Sequence, residues 1–362
     1  MKKLRRNLVF LLVVCLMITC GTSVVTAKKT HTLGNTVTNQ LLGSMAAENE
    51  GRIYYGIRNK IYSVKTDGTG KKEVYTVKGG AGENGFSRVA VYDGFIYALY
   101  DSYGGSDGTR NKLVRVKLDG SGFKSFGYAL TVAAADGKIY YTKAELVSDE
   151  FDNSYLRPAG VYSMNPDGSG KKALVKKKDT SVLAVDGANI YYQTRNSRTG
   201  KLVIYRCGMS GTKAKKLVTI EGRTGNYALS GSSFFYSEET ADDKKGLKTI
   251  VYRLNMKSGK TKKVYTCKSG DTLESLFTEG NMMYLATYDE GLKKINLDTK
   301  KETTLVSSSQ KSPVYAVTGV FGSVIVYEKY REDLKNGTNI SVILARKSSG
   351  KKIKEIGAYF TS

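Results

Sequence analysis

The hexapeptide Asp136-Gly137-Lys138-Ile139-Tyr140-Tyr141 decides how this chain folds, because it keeps returning. Relatives of it stand at Gly51-Arg52-Ile53-Tyr54-Tyr55, at Asp93-Gly94-Phe95-Ile96-Tyr97, and at Asp186-Gly187 leading to Ile190-Tyr191-Tyr192. Looser ones are Ser230-Gly231 with Phe234-Phe235-Tyr236, Gly280 with Met282-Met283-Tyr284, and Gly322 with Ile325-Val326-Tyr327. Asp-Gly and Ser-Gly supply the positive backbone angles of a tight hairpin, and the Ile-Tyr-Tyr that follows is a strand former.

A second signature follows each copy. Ile61-Tyr62-Ser63-Val64 runs into Asp67-Gly68-Thr69-Gly70, and Val161-Tyr162-Ser163-Met164 into Asp167-Gly168-Ser169-Gly170. A further strand comes after that turn, as in Val74-Tyr75-Thr76-Val77 and Val264-Tyr265-Thr266-Cys267. Upstream of each first signature lies a small-residue apolar strand, such as Val89-Ala90-Val91-Tyr92 or Thr131-Val132-Ala133-Ala134. One unit is therefore four strands, a to d, recurring every 42 to 50 residues or so, which fits one blade of a β-propeller and not a helical repeat. No window has helical periodicity. The expected fold is all-β: a propeller of seven four-stranded blades, with six or eight compatible with the degenerate later copies. A β-sandwich is the runner-up, but it does not predict seven like units.

The N-terminus reads as an export signal. Lys2, Lys3, Arg5 and Arg6 precede the apolar run Leu8 to Ile18, and Val25-Thr26-Ala27 offers a small-residue cleavage site. The expected organisation is a signal peptide over 1–27, a tail over 28–42 and the propeller over 43–362. Secretion with retention at the cell surface follows. Lipidation of Cys20 is the alternative, although Met17-Ile18-Thr19 is a poor lipobox. Cys207 and Cys267 fall where other units place Val64 and Val77, so both read as buried apolar substitutes and not as a disulfide.

The repeat resembles that of a secreted bacterial β-propeller family of unknown function, itself similar to the YWTD propeller of low-density lipoprotein receptors. Gly34-Asn35-Thr36-Val37-Thr38-Asn39, Ala46-Ala47-Glu48-Asn49-Glu50-Gly51 and Ile53-Tyr54-Tyr55 carry the likeness to the family's opening. Tyrosine replaces the tryptophan of YWTD, and the aspartate is missing after Tyr55, Tyr141 and Tyr192. The resemblance thus implies the fold but no calcium site and no activity.

Function is expected on the face that bears the b–c loops, because those loops vary while the a–b and c–d turns repeat. The acids there form the candidate binding set: Asp101, Asp107, Asp149, Glu150, Asp152, Glu238, Glu239, Asp242 and Asp243. The c–d turns instead bear lysine doublets: Lys71-Lys72, Lys171-Lys172, Lys262-Lys263 and Lys351-Lys352. With 57 Lys+Arg against 33 Asp+Glu, the chain suits polyanionic surroundings. The lysines read either as a rim that docks on anionic polymer or as protection of the outer strand edges.

Gly80-Ala81-Gly82-Glu83-Asn84-Gly85 satisfies G-x-G-x-x-G, yet a strand follows where a dinucleotide site needs a helix, so it reads as a connector. Asp101 to Asp107 lacks the ligand spacing of a calcium loop. The only histidine, His31, lies outside the repeats, so histidine-based triads and metal sites are excluded from the propeller. No cofactor, metal or catalytic residue is expected. The reading is a monomeric, non-catalytic binding or scaffold module of the cell envelope. Its partner is a protein, a glycan or an anionic cell-wall polymer, with peripheral membrane association compatible and no specific nucleic-acid recognition. A polysaccharide hydrolase or lyase using loop-face carboxylates is the alternative.

Overall fold

The computed structural model describes residues 31–78, 85–101, 111–150, 154–242, 246–268, 270–309, 312–333 and 337–360. Residues 79–84, 102–110, 151–153 and 243–245 therefore lie outside it, and with them most of the glycine-rich connector, Asp107, Asp152 and Asp243.

Blade 1 is β1 to β4 (Ala46–Asn49, Arg52–Ile57, Lys60–Lys65, Lys72–Thr76). Blades 2 and 3 share a strand: β5 (Gly85–Tyr92), β6 (Phe95–Asp101), β7 (Lys112–Lys117), β8 (Lys124–Ala135), β9 (Lys138–Ser148), β10 (Ser154–Met164) and β11 (Lys172–Val175). Blade 4 is β12 to β15 (Thr180–Val185, Asn189–Arg195, Leu202–Gly208, Lys215–Ile220), and blade 5 is β16 to β19 (Tyr227–Ser230, Ser233–Asp242, Gly246–Asn255, Thr261–Thr266). Blade 6 is β20 to β23 (Leu273–Glu279, Met282–Thr287, Gly291–Asn296, Glu302–Val306), and blade 7 is β24 to β27 (Val314–Phe321, Val324–Asp333, Gly337–Arg346, Lys352–Phe360).

Hydrogen bonding joins these strands into six antiparallel sheets, five of four strands and one of seven. The seven-stranded sheet arises because β8 serves twice. Its first part pairs with β7 (Arg115 opposite Lys124, Lys112 opposite Tyr128), and its second part pairs with β9 from Ala129 onward. Read that way, the described residues hold seven four-stranded units. The a–b turns are built as the dipeptides demand: Asp93 and Gly94 have φ of 52° and 75°, and Asp136 and Gly137 have 45° and 81°. Positive φ at both central residues is what lets a two-residue turn follow the strand twist.

Alternation along the second strand sorts side chains between neighbouring blades. Ile139 and Tyr141 pack towards blade 2 with Tyr97 and Leu99, whereas Tyr140 packs towards blade 4 with Val182, Ile190 and Tyr192. The same division recurs at each seam, and buried aromatics of this kind contribute about 2–3 kcal/mol apiece. The ring closes by packing too. Val326, Val342 and Ile356 of blade 7 meet Ile53, Tyr55 and Ile57 of blade 1, and the Tyr55 hydroxyl donates to the Ile356 carbonyl at 2.9 Å. Glu328 of β25 is 1% exposed, and one of its carboxylate oxygens has no partner. Burial pushes its pKa up to about 7, against the pull of a hydrogen bond from Tyr359.

Innermost strands leave a row of backbone groups unpaired on the side that faces the axis, and these must be satisfied somehow. The N-terminal segment does it. The compact unit begins at Thr32, so the boundary expected at residue 43 falls inside it. Residues 34–36 lead into helix α1 (Val37–Leu42), capped by the Thr36 hydroxyl and ended by Gly43 at φ 66°. Gln40 bridges the Val185 N–H (2.7 Å) and carbonyl (3.0 Å), and Asn39 does the same at Val320 (2.7 and 3.0 Å). Asn35 donates to the carbonyls of Ala46 and Val89, each at 2.8 Å, and Ser44 donates to Thr318 O. A segment read as a tail is thus a polar plug. Its partners Val185, Val320, Ala134 and Val91 sit at or near the last residues of their strands, so it fills the turn-side end of the axis.

Candidate functional site

With the turn side filled, the part of the axis towards the b–c loops begins at the end of α1, where Gly43 and Ser44 meet β5 and β24. Its wall is made by first strands, and several of these carry a register shift that leaves one or two residues unpaired. The unpaired residues are Arg88 and Val89 in β5, Leu130 in β8, Leu183 in β12, Glu274 in β20 and Tyr315 and Thr318 in β24. Bulges of this kind re-aim a side chain. Arg88, Leu130, Leu183 and Glu274 are each partly exposed within otherwise buried strands. Two of the four are charged, on blades 2 and 6.

Glu274 has acidic company. Burial first, then Glu239 and Asp271, push its carboxyl above the usual range. Asp271 is 1% exposed; it accepts the Asp289 N–H at 2.9 Å with one oxygen and leaves the other unpartnered. Of the expected loop-face set, Glu239 alone joins this group. Glu238, one residue earlier on β17, is held by the N–H groups of Glu221 and Gly222 (3.1 and 2.8 Å) and shapes the connection into blade 5. Asp149 and the exposed Glu150 lie at the tip of the β9–β10 hairpin, and Asp101 ends β6 with one buried, unpartnered oxygen. Asp242 ends β17. The expected acids are thus dispersed over the loops of blades 2, 3 and 5, and Arg88, Glu274 and Asp271 were missed. A signal for two of them existed: a charge inside Phe86-Ser87-Arg88-Val89 and inside Leu273-Glu274-Ser275, where β8 and β12 carry leucine.

On the turn side, Lys71, Lys72, Lys171, Lys172, Lys262, Lys263, Lys351 and Lys352 are all exposed, at or beside the start of the outermost strands. Lys352 pairs with Glu355 at 3.2 Å, and the Lys71 amine lies 4.5 Å from the Tyr62 ring centre. The expected segregation of charge by face is incomplete, however. Asp67, Asp119 and Asp167 share the turn side, and bonds from the hydroxyl and N–H of Thr69, Ser121 and Ser169 hold their carboxyls below the usual range. Two clefts open there as well. One of about 710 Å³ in the seam of blades 4 and 5 is lined by Asp186, Arg206, Lys215 and Lys257; one of about 480 Å³ at the ring closure is lined by Glu48, Asp67 and Arg346.

Cys207 and Cys267 are buried and free, in blade 4 and just after blade 5, as the repeat alignment expects. Burial raises their pKa values to about 11 and about 12. Among the described residues no three His, Cys, Asp or Glu side chains are grouped to hold a metal, and no helix is long and apolar enough to cross a membrane.

No family model matches the chain, and no curated protein matches it either, so the family suggested by the repeat stays unassigned. Solved structures do match. The computationally designed Ika8 protein is similar over 86% of this chain and 87% of its own, with a TM-score of 0.51 and 13% identity. A nidogen/laminin complex matches over 70% of this chain and 92% of the other (TM-score 0.46, 14% identity). An oligogalacturonate lyase in complex with manganese matches over 67% and 72% (TM-score 0.46, 13% identity). At such identities the likeness is one of fold, and the fold is a β-propeller built of small four-stranded sheets.

Proposed function

We propose that this chain is an exported, non-catalytic binding module of the cell envelope whose loop face takes a protein, glycan or anionic wall polymer. The observation that carries the reading is the plug at the turn-side end of the axis, which we take to leave a well open towards the loops. Residues 34–44 fill the turn side, so a ligand reaches the axis from the loop side, where the hairpins β9–β10, β17–β18 and β25–β26 are the longest of the ring. A rigid ring with unequal loops on its open side is an arrangement suited to recognition. The lysine doublets on the opposite rim support docking to an anionic polymer, with the loop face turned outward.

A carboxylate-based hydrolase or lyase acting on polysaccharide is the second reading. It is favoured by Glu274, whose raised pKa beside Glu239 and Asp271 suits a general acid. The deciding experiment is retention of the mature chain on isolated envelope fractions, for wild type, a loop-face variant (Glu150→Lys with Glu239→Lys) and a rim variant (Lys71, Lys171, Lys262 and Lys351 each→Glu). Loss of salt-sensitive retention in the rim variant and of salt-resistant retention in the loop variant is expected. Retention unchanged in both overturns the binding reading. Release of soluble sugar by wild type, abolished by Glu274→Gln, establishes the enzyme instead.

A further inference from the structure

Arg88 is the residue of the well that the fold does not explain. Its register with β6 is lost between Ser87 and Ala90, so Arg88 and Val89 have no cross-strand partners. Its φ is +54°, in the left-handed region that a long side chain seldom adopts. Strain of this kind is unfavourable and is kept where surrounding structure or function demands it.

The bulge delivers the guanidinium to the axis. A Cβ placed on Gly43, the residue that ends α1, would lie 2.9 Å from Arg88 Cζ, so the cation lies against the end of α1. There it makes no ion pair and donates no hydrogen bond among the described residues. Burial alone pushes its pKa below the arginine range. A cation held out of water without a carboxylate is unfavourable.

Two structural explanations fail on the same residues. The bulge does not need arginine, because Leu130 and Leu183 occupy the corresponding register shifts of blades 3 and 4. The end of α1 does not need it either. That helix has six residues, and the Gly43 and Ser44 N–H groups already bond to its Gln40 and Asn39 carbonyls at 3.1 and 2.9 Å. What the position lacks is an anion.

We infer that Arg88 is the anion-recognition residue of the well, receiving a carboxylate or phosphate group of the ligand that enters from the loop face. The inference rests on the reading of the well as the binding site. An arginine fork binds either oxyanion through paired N–H bonds, which a lysine reproduces only in part. Five donors without an acceptor also make neutral ligands a poor match.

The test uses the mature chain, with inorganic phosphate and galacturonate as separate probes at fixed ionic strength, titrated by calorimetry. Wild type is expected to bind at least one probe saturably, and the preferred probe identifies phosphate or uronate polymer as the source. Arg88→Leu, the residue blades 3 and 4 tolerate, should weaken that binding more than tenfold, and Arg88→Lys should fall between. Leu130→Trp, which fills the well and leaves Arg88 in place, should also abolish it. Binding by Arg88→Leu equal to wild type, or no binding of either probe by a folded wild type, overturns the inference. Envelope retention separates the two ideas. If Leu130→Trp loses retention while Arg88→Leu keeps it, the well stands as the site and the anion assignment falls; if both keep it, both fall.

Discussion

Glu328→Gln isolates the energetic consequence of one carboxyl sealed between the last blade and the first. Burial raises the Glu328 pKa from 4.5 to about 7, so the folded chain holds this proton more tightly than the unfolded chain does. Below pH 4.5 the carboxyl is neutral in both states and its contribution is fully present. Between 4.5 and 7 the unfolded chain ionises first, and stability falls with rising pH. Above 7 the folded chain carries the buried charge and the loss is complete. A shift of this size corresponds to about 3 kcal/mol, and no solvent discount applies to a side chain that is 1% exposed. Glutamine keeps an acceptor for Tyr359 but cannot ionise. Its advantage over wild type should therefore be near zero at pH 4 and grow to about 3 kcal/mol at pH 8, or roughly 4–6 °C in Tm for a chain of this size. Thermal and urea unfolding followed by circular dichroism at several pH values measures it. A difference that does not change with pH, or a variant less stable than wild type at pH 8, refutes the reasoning.

Other consequences can be measured in the same way. Gln40→Leu keeps the bulk of the plug but strands the N–H and carbonyl of Val185, and should cost about 2–4 kcal/mol in urea unfolding. Gly120→Ala forces a Cβ to 2.0 Å from the Val74 carbonyl of the preceding blade at a φ of +88°, whereas Gly94→Ala at +75° meets nothing within 4 Å. The first should destabilise by about 2–4 kcal/mol and the second by about 1, read as a difference in Tm. Cys207 and Cys267, with thiols raised to about 11 and about 12, should resist a disulfide reagent at pH 8 in the folded chain and react after unfolding.

The blades were legible because their instructions are local. Asp136-Gly137 sets a turn and Ile139-Tyr140-Tyr141 sets a strand with two packed faces, and neither needs a distant partner to be recognised. The junction of blades 2 and 3 was not legible, since only Thr131-Val132-Ala133-Ala134 reads as a strand there, whereas Lys124–Ala135 runs through as one. The plug had its caps in plain view, Thr36 before and Gly43 after, but six residues are too few to announce a helix. Its Asn and Gln side chains meet acceptors and donors far away in sequence. Arg88 escaped for a similar reason: a register shift depends on two strands at once, and Val89-Ala90-Val91-Tyr92 alone looks regular. The loop acids were found as residues but not as a site, because hairpin tips on separate blades need not converge.

The plug also fixes an order of events in time. Asn39 is made early, yet its bonds to Val320 span 281 residues of sequence. The segment cannot settle until the seventh blade exists, and contacts so distant in sequence make for slow folding. Through synthesis the residues of the plug remain without these partners. Completion then arrives as a single late step, in which the oldest part of the chain fastens onto the youngest.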